Sequence, residues 1–186
     1  MRPAAIRIIR DEHLAIAAVL YALRGLARRM RAEEEPPDSP LLHAMLDYIV
    51  EYPDRWHHPK ESRYLFAALR EADRRAARLI DELEREHRDG DRHIAGLQRE
   101  VAALERGSAG AIASFAQAVE AYAAMQWEHM RKEEDILLPM AERALGAGDW
   151  RRIAAAFRES DDPLLGIKPR DDAERLYRKI LSLSVR

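Results

Sequence analysis

Apolar residues recur along this chain at alternating steps of three and four, the spacing that gathers side chains onto one face of an α-helix. Ile6, Ile9, Ile16, Leu20, Leu23, Ala27 and Met30 mark one stripe, and Ala76, Ile80, Leu83, Gly90, Ile94, Leu97, Val101 and Leu104 another. Phe115, Val119, Tyr122, Ile136 and Met140 mark a third. A further stripe opens with Leu42, Met45, Ile49 and Tyr52, changes phase at Pro53 and resumes at Leu65 and Ala68, as a proline kink would require. Pro36, Pro37 and Pro40 break the first pattern, with Asp38 or Ser39 able to cap the next helix. The pattern lapses again over residues 70–73, where Asp73 can cap; Gly107 and Gly110 form the third break, and Gly146-Ala147-Gly148 the last. Helices are predicted over about 4–32, 40–70, 73–105 and 111–145, and connections this short make neighbours antiparallel. The expected fold is all-α: an up-down-up-down four-helix bundle over residues 1–146 with a short C-terminal helical extension over 147–186 packed on or beside the bundle. In that extension Asp149 can cap a helix through Phe157, and Asp171 or Asp172 another through about Leu183. Leu176, Ile180 and Leu183 give the last element an apolar side that would cover a bundle end or meet a protein partner.

Four of the stripes contain a histidine where an apolar residue belongs: His13, His57, His87 and His129. Glu61 and Glu133 follow two of them by four residues and so project from the same helix face. Counting from each histidine to the neighbouring turn gives about 20 and 18 residues across the first loop, about 14 and 15 across the second, and about 19 and 18 across the third. At roughly 1.5 Å per residue these differ by about 3 Å or less, so all four histidines stand at one height. A single histidine on an apolar face is usually a hydrogen-bonded core residue. Four at one level with two inward carboxylates are costly to bury unless something pairs them. A metal cluster does so, because neutral imidazoles donate lone pairs while carboxylates neutralise cation charge and can bridge two ions.

Composition narrows the chemistry. The 186-residue chain has no cysteine, which excludes disulfides, thiolate-ligated zinc, iron–sulfur clusters and thiol catalysis, so any metal must be held by nitrogen and oxygen. A net charge of −2 supplies no positive field for a phosphate backbone, and nucleic acid is not an expected partner. No run of 18 apolar residues occurs and the first dozen residues are interrupted by charges, so no membrane association and a cytoplasmic location are expected.

The run His57-His58-Pro59-Lys60-Glu61, the pair Glu86-His87 and the run from His129 through Glu133 to Pro139, with His13 in the first helix, resemble the hemerythrin-like, or HHE cation-binding, domains. The resemblance covers about residues 5–145. It implies a bundle around a non-haem centre of two iron ions with an oxo or hydroxo bridge, with His13, His57, His87 and His129 as terminal ligands and Glu61 and Glu133 bridging the metals. The oxygen-carrying hemerythrins place a second histidine one turn after the first in the third helix, whereas position 91 here is Asp91 and the seam position is Gly90. His58 is the candidate replacement: next to His57, it projects about 100° around the helix and can reach the other metal. Gly90 would leave space beside the site.

Other polar residues have weaker claims. Gln126, one turn before His129, could hydrogen-bond a bound ligand or a ligating group. Tyr122 reads as core, His43 lies about 20 Å along its helix from the site, and His93 faces elsewhere. Glu134 and Asp135 read as a solvated face or as support for a ligand, and Trp56 and Trp127 as shields against water. The expected function is a binding protein whose two ferrous ions, with one open position, take up a small diatomic ligand, oxygen or nitric oxide, or which senses iron itself. A di-iron oxidase, peroxidase or iron–sulfur repair protein is the alternative. Ferritin-like oxidases use two Glu-x-x-His motifs, and only Glu84-x-x-His87 is present, since Gln126 precedes His129. A metal-free helical interaction module would leave the histidines unexplained.

Overall fold

The computed structural model describes residues 3–33 and 36–158, and these are helices joined by short turns, with no strand among them. Helix α1 is Ala4–Arg31. Helix α2 runs over residues 39–72, assembled from Ser39–Ile49, Val50–His57, His58–Lys60, Glu61–Phe66 and Ala67–Ala72. After the single 3₁₀ turn Arg74–Ala76 comes α3, Ala77–Glu105. Helix α4 covers residues 111–144 as Ala111–Lys132, Glu133–Leu137 and Leu138–Ala144, and α5 is Ala147–Arg158. The second helix expected after α5 lies outside the described residues. No helix among those described is long and apolar enough to cross a membrane.

The ends are set by local chemistry. Asp38 caps α2 by accepting from Leu41 N–H at 3.0 Å, and Asp73 accepts from Arg75 N–H at 3.0 Å. At the end of α3, Ser108 N–H bonds the Ala103 carbonyl and Gly107 N–H the Leu104 carbonyl, a Schellman closure that needs the left-handed φ of 64° that Gly107 adopts. Helix α5 begins two residues before Asp149, whose carboxylate reaches back to Gly146 N–H at 3.0 Å from inside the first turn.

Three stretches widen into π turns: Val50–His57, Glu61–Phe66 and Glu133–Leu137. The phase change at Pro53 is made by the first of these, through a bond from His58 N–H to the Pro53 carbonyl. A proline deprives the carbonyl four residues back of its donor and crowds it, and a wider turn relieves both. Pro59 precedes the second widened stretch and Pro139 follows the third. All three carry or adjoin the candidate ligands of α2 and α4.

Ion pairs record how the helices lie. Arg24 meets Glu120 and Arg10 meets Glu134, so numbers rise on α1 as they fall on α4. Between α2 and α3 the pairs are His43–Glu105 and Arg70–Asp81, and between α3 and α4 Lys132 reaches Glu82 while His93 lies near Tyr122. Each of these three helix pairs is antiparallel. The apolar interior divides in two. One part gathers Ile16, Leu20, Leu23, Met45, Tyr52, Leu97, Phe115 and Tyr122. The other gathers Ile6, Ile9, Leu65, Phe66, Ile80, Leu83, Leu137 and, from α5, Trp150, Ile153 and Phe157. His13 stands between Ile9 and Ile16, His57 and His58 between Tyr52 and Leu65, and His87 between Leu83 and Ile94, so the polar layer lies between two dry clusters.

Candidate metal site

The structure brings together His13 from α1, His57, His58 and Glu61 from α2, His87 from α3, and His129 and Glu133 from α4. Their inward atoms form two groups, one of His58, Glu61, His87 and His129, the other of His13, His57, Glu61 and Glu133, with every ligand atom in a group within 4.8 Å of the rest. The π turns on either side of the His58–Lys60 segment let two adjacent histidines both point inward, and His57 and His58 are both buried.

The carboxylates divide themselves between the groups. Glu61 Oε1 lies 3.2 Å from His57 Nε2 and 3.8 Å from His13 Nε2, while its Oε2 lies 3.6 Å from His87 Nε2. Glu133 Oε2 lies 3.3 Å from His13 Nε2 and its Oε1 3.4 Å from His129 Nε2. All four of these oxygens, together with His13 Nε2, are fully buried without a hydrogen-bond partner. Unpaired buried carboxylate oxygens are among the costliest atoms a core can contain, and a cation in each group would give every one of them a partner. A donor set of imidazole nitrogens and carboxylate oxygens, without sulfur, fits first-row transition ions.

His13, His57, His87 and His129 turn Nε2 inward, and all five histidines have a partner near Nδ1. His57 Nδ1 donates to Glu12 at 2.7 Å, His13 Nδ1 to Glu134 at 2.9 Å and His129 Nδ1 to Glu86 at 2.9 Å. Glu86 is itself gripped by Lys132, and Glu134 lies 3.6 Å from Arg10. His58 Nδ1 has only a looser contact to Asp54 at 3.3 Å, and His87 Nδ1 one to Ser62 Oγ at 3.4 Å. Carboxylate partners of this kind fix the ring and raise its basicity as a ligand. His87 is stacked between His58, at 4.1 Å between centroids, and Phe66, at 5.7 Å.

Without metal, these groups polarise one another. Burial alone would push the His57 imidazole down, but the Glu61 and Glu12 carboxylates outweigh it and hold His57 at about 9. Burial acts likewise on His129, and Glu133 and Glu86 carry it up to about 10. His13 is raised well above the ordinary range against the same burial, by Glu133, Glu134 and Glu61. Burial and the nearby His58 push His87 down to about 2, so His129 Nε2–H donates to a neutral His87 Nε2 at 3.0 Å. Burial and the Glu61 charge work to raise Glu133, yet His129 and His13 bring it down to about 2. The metal-free layer is therefore a set of ion pairs in which protons sit where cations would.

Gln126 is buried, but its amide donates to Tyr122 Oη at 2.9 Å and it belongs to neither group. Trp56 is 48% exposed and donates to Glu51, and Trp127 lies under Arg24, so neither ring covers the histidines. Phe157 does, edge-on to His57 at 5.9 Å. Glu84 pairs with Arg70 outside the layer, and His43 pairs with Glu105. Sequence reading gave no role to Glu12, Glu86, Asp54, Ser62, Lys132 or Phe157. Asp54 is four residues before His58 on one helix, a spacing that could have flagged it. Glu12 and Glu86 adjoin His13 and His87 in sequence but serve His57 and His129 on neighbouring helices, an assignment that only packing makes.

No solved structure and no curated protein gives a significant match to the chain. The hemerythrin HHE cation-binding domain does match, over residues 4–141, a span that contains every residue of both histidine and carboxylate groups. With more than half of the chain matched and the clustered donors in place, the protein belongs to the hemerythrin HHE cation-binding domain family.

Proposed function

We propose that this chain is a two-iron binding protein that takes up a small diatomic ligand, oxygen or nitric oxide, or responds to iron itself. The observation that carries the reading is the division of Glu61 and Glu133, each with one oxygen toward each histidine group and none hydrogen-bonded. In this reading residues 1–146 are an up-down-up-down four-helix bundle, and residues 147–186 an extension whose α5 covers the site. His58, His87 and His129 would hold one ion, His13 and His57 the other, with Glu61 and Glu133 spanning both. His58 then stands in for the absent third-helix histidine, its ring stacked on His87 from the neighbouring helix.

Bound iron would supply reversible redox and ligand-binding chemistry. The chain's own residues do the rest. Glu12, Glu134 and Glu86 orient three imidazoles and take their Nδ1 protons as hydrogen bonds, and the apolar clusters on either side exclude bulk water. The two-histidine group offers one imidazole fewer than the other, which favours it as the side where an external ligand binds. The test is anaerobic loading with ferrous iron, metal analysis, and absorption spectra before and after oxygen or nitric oxide. About two irons per chain and a reversible spectral change are expected; negligible iron after loading overturns the reading, and rapid turnover of peroxide would replace a carrier or sensor with an enzyme.

A further inference from the structure

The two halves of the layer are not held alike. His13 and His57, one group's histidines, are both pinned through Nδ1 by carboxylates at 2.9 and 2.7 Å. In the other group only His129 is pinned in this way; His58 and His87 have the long contacts of 3.3 and 3.4 Å. The same two loosely held histidines line a cavity of about 190 Å³ between α2 and α3, together with Asp54, Ser62, Arg88 and Asp91. The Oδ1 atom of Asp54 is buried in this region without a hydrogen-bond partner. His58 also opens the three-residue segment His58–Lys60 between two π turns, with its N–H bonded to the Pro53 carbonyl and its carbonyl to Glu61 N–H, so the regular α-helical ladder is interrupted on both sides of it. Looseness of the ring, interruption of the backbone and an opening to the outside therefore coincide at one place.

We infer that the cavity between α2 and α3 is the port for metal exchange, and that the ion of the three-histidine group is the exchangeable one, passed between solvent and site by Asp91, Asp54 and a swinging His58. This rests on the two-iron reading above and adds a route and an order to it. Asp91 is exposed and Asp54 half-buried, so two carboxylates stand at successive depths, oxygen donors suited to a ferrous ion that has shed part of its water. Asp54 Oδ1 lies 3.3 Å from His58 Nδ1, so movement of the His58 ring off the inner position would bring the imidazole and this carboxylate onto one departing ion. Coordination changes only by exchange of oxygen, nitrogen and water donors, with no redox step. Among the described residues, the other two rings are more tightly enclosed: Glu12 and Phe157 lie against His57, and Glu134 lies against His13.

The experiment is anaerobic loading of the full chain with ferrous iron, followed by removal with excess of a ferrous chelator that colours on binding. Two phases of equal amplitude are expected, the first about ten times faster or more, since loss of a carboxylate partner on a ligating histidine typically weakens a site by about 10–100-fold. Asp91→Asn is expected to slow the fast phase and the matching phase of uptake by about threefold, through loss of the charge that concentrates the cation at the mouth, and to leave the slow phase and the final stoichiometry unchanged. Asp91→Lys should slow it further, and added salt should shrink the difference between variants. Release of both irons in one phase, or a fast phase indifferent to both substitutions, overturns the port while leaving the two-iron reading intact. A chain that takes up no iron overturns both.

Discussion

A buried imidazole becomes a ligand when its outer nitrogen is fixed, because the ring then presents one tautomer at one angle. Glu12 does this for His57 at 2.7 Å, deep in the protein. Glu12→Gln retains the shape and removes the charge, and is expected to weaken iron binding by about 10–100-fold while Glu84→Gln, which touches Arg70 outside the layer, changes it little. Competition titration against a chelator of known affinity checks this; equal affinities for the two variants would deny Glu12 its role. Gly90 makes the opposite point. A Cβ there would meet only Asp54 Oδ1 at 3.9 Å, an ordinary contact, so nothing in the packing demands a glycine inside α3. Gly90→Ala is expected to stabilise the fold by about 0.5–1 kcal/mol, and a thermal melt showing destabilisation instead would mean that the space beside Asp54 is required.

Among the elements, the helical stripes of α1, α3 and α4 were legible because burial of one face repeats every turn, and the caps at Asp38 and Gly107 because their chemistry is local. The π turns were not legible as such. The phase slip at Pro53 announced an irregularity, but whether it becomes a kink or a widened turn depends on where the next side chains must reach, here His57 and His58 both on the inner side. Helix α5 was legible as an element packed on or beside the bundle, but not as the one that reaches His57. Phe157, 1% exposed and edge-on to His57, joins it to the site. Phe157→Ala should cost about 3–5 kcal/mol as a cavity-forming change, and in the iron-loaded protein it should speed release of the slow iron. A melting temperature close to that of the parent would place α5 off the bundle in solution.

For the whole molecule, the layer's protons and its metal compete for the same atoms. In the metal-free fold His57 and His129 titrate at about 9 and 10 against an ordinary 6.5, so the stabilisation they contribute is complete below pH 6.5 and is lost as pH rises through 9 and 10. His87, held at about 2, acts the other way, since the unfolded chain gains its proton below 6.5 and the fold does not. Stability of the metal-free protein is thus expected to fall on the alkaline side of pH 6.5, whereas the iron-loaded protein, with cations in place of those protons, should gain on the metal-free form over the same range. Melting curves of both forms under anaerobic conditions between pH 6.5 and 10 test this; parallel curves would show that the histidines are not protonated in the metal-free layer.

What the sequence determined by itself is whatever repeats or acts within a few residues: helical periodicity, breaks at proline and glycine, and the i, i+4 placing of His57 with Glu61 and of His129 with Glu133. Counting residues to each turn even set the histidines at one height, because the rise per residue of a helix is constant. Only the tertiary structure decided which donors share an ion-sized space, that each carboxylate splits between two groups, and that Glu86 serves His129 rather than its neighbour His87. Those relations depend on the rotation of each helix about its own axis, which packing against the other helices sets and which no local rule contains.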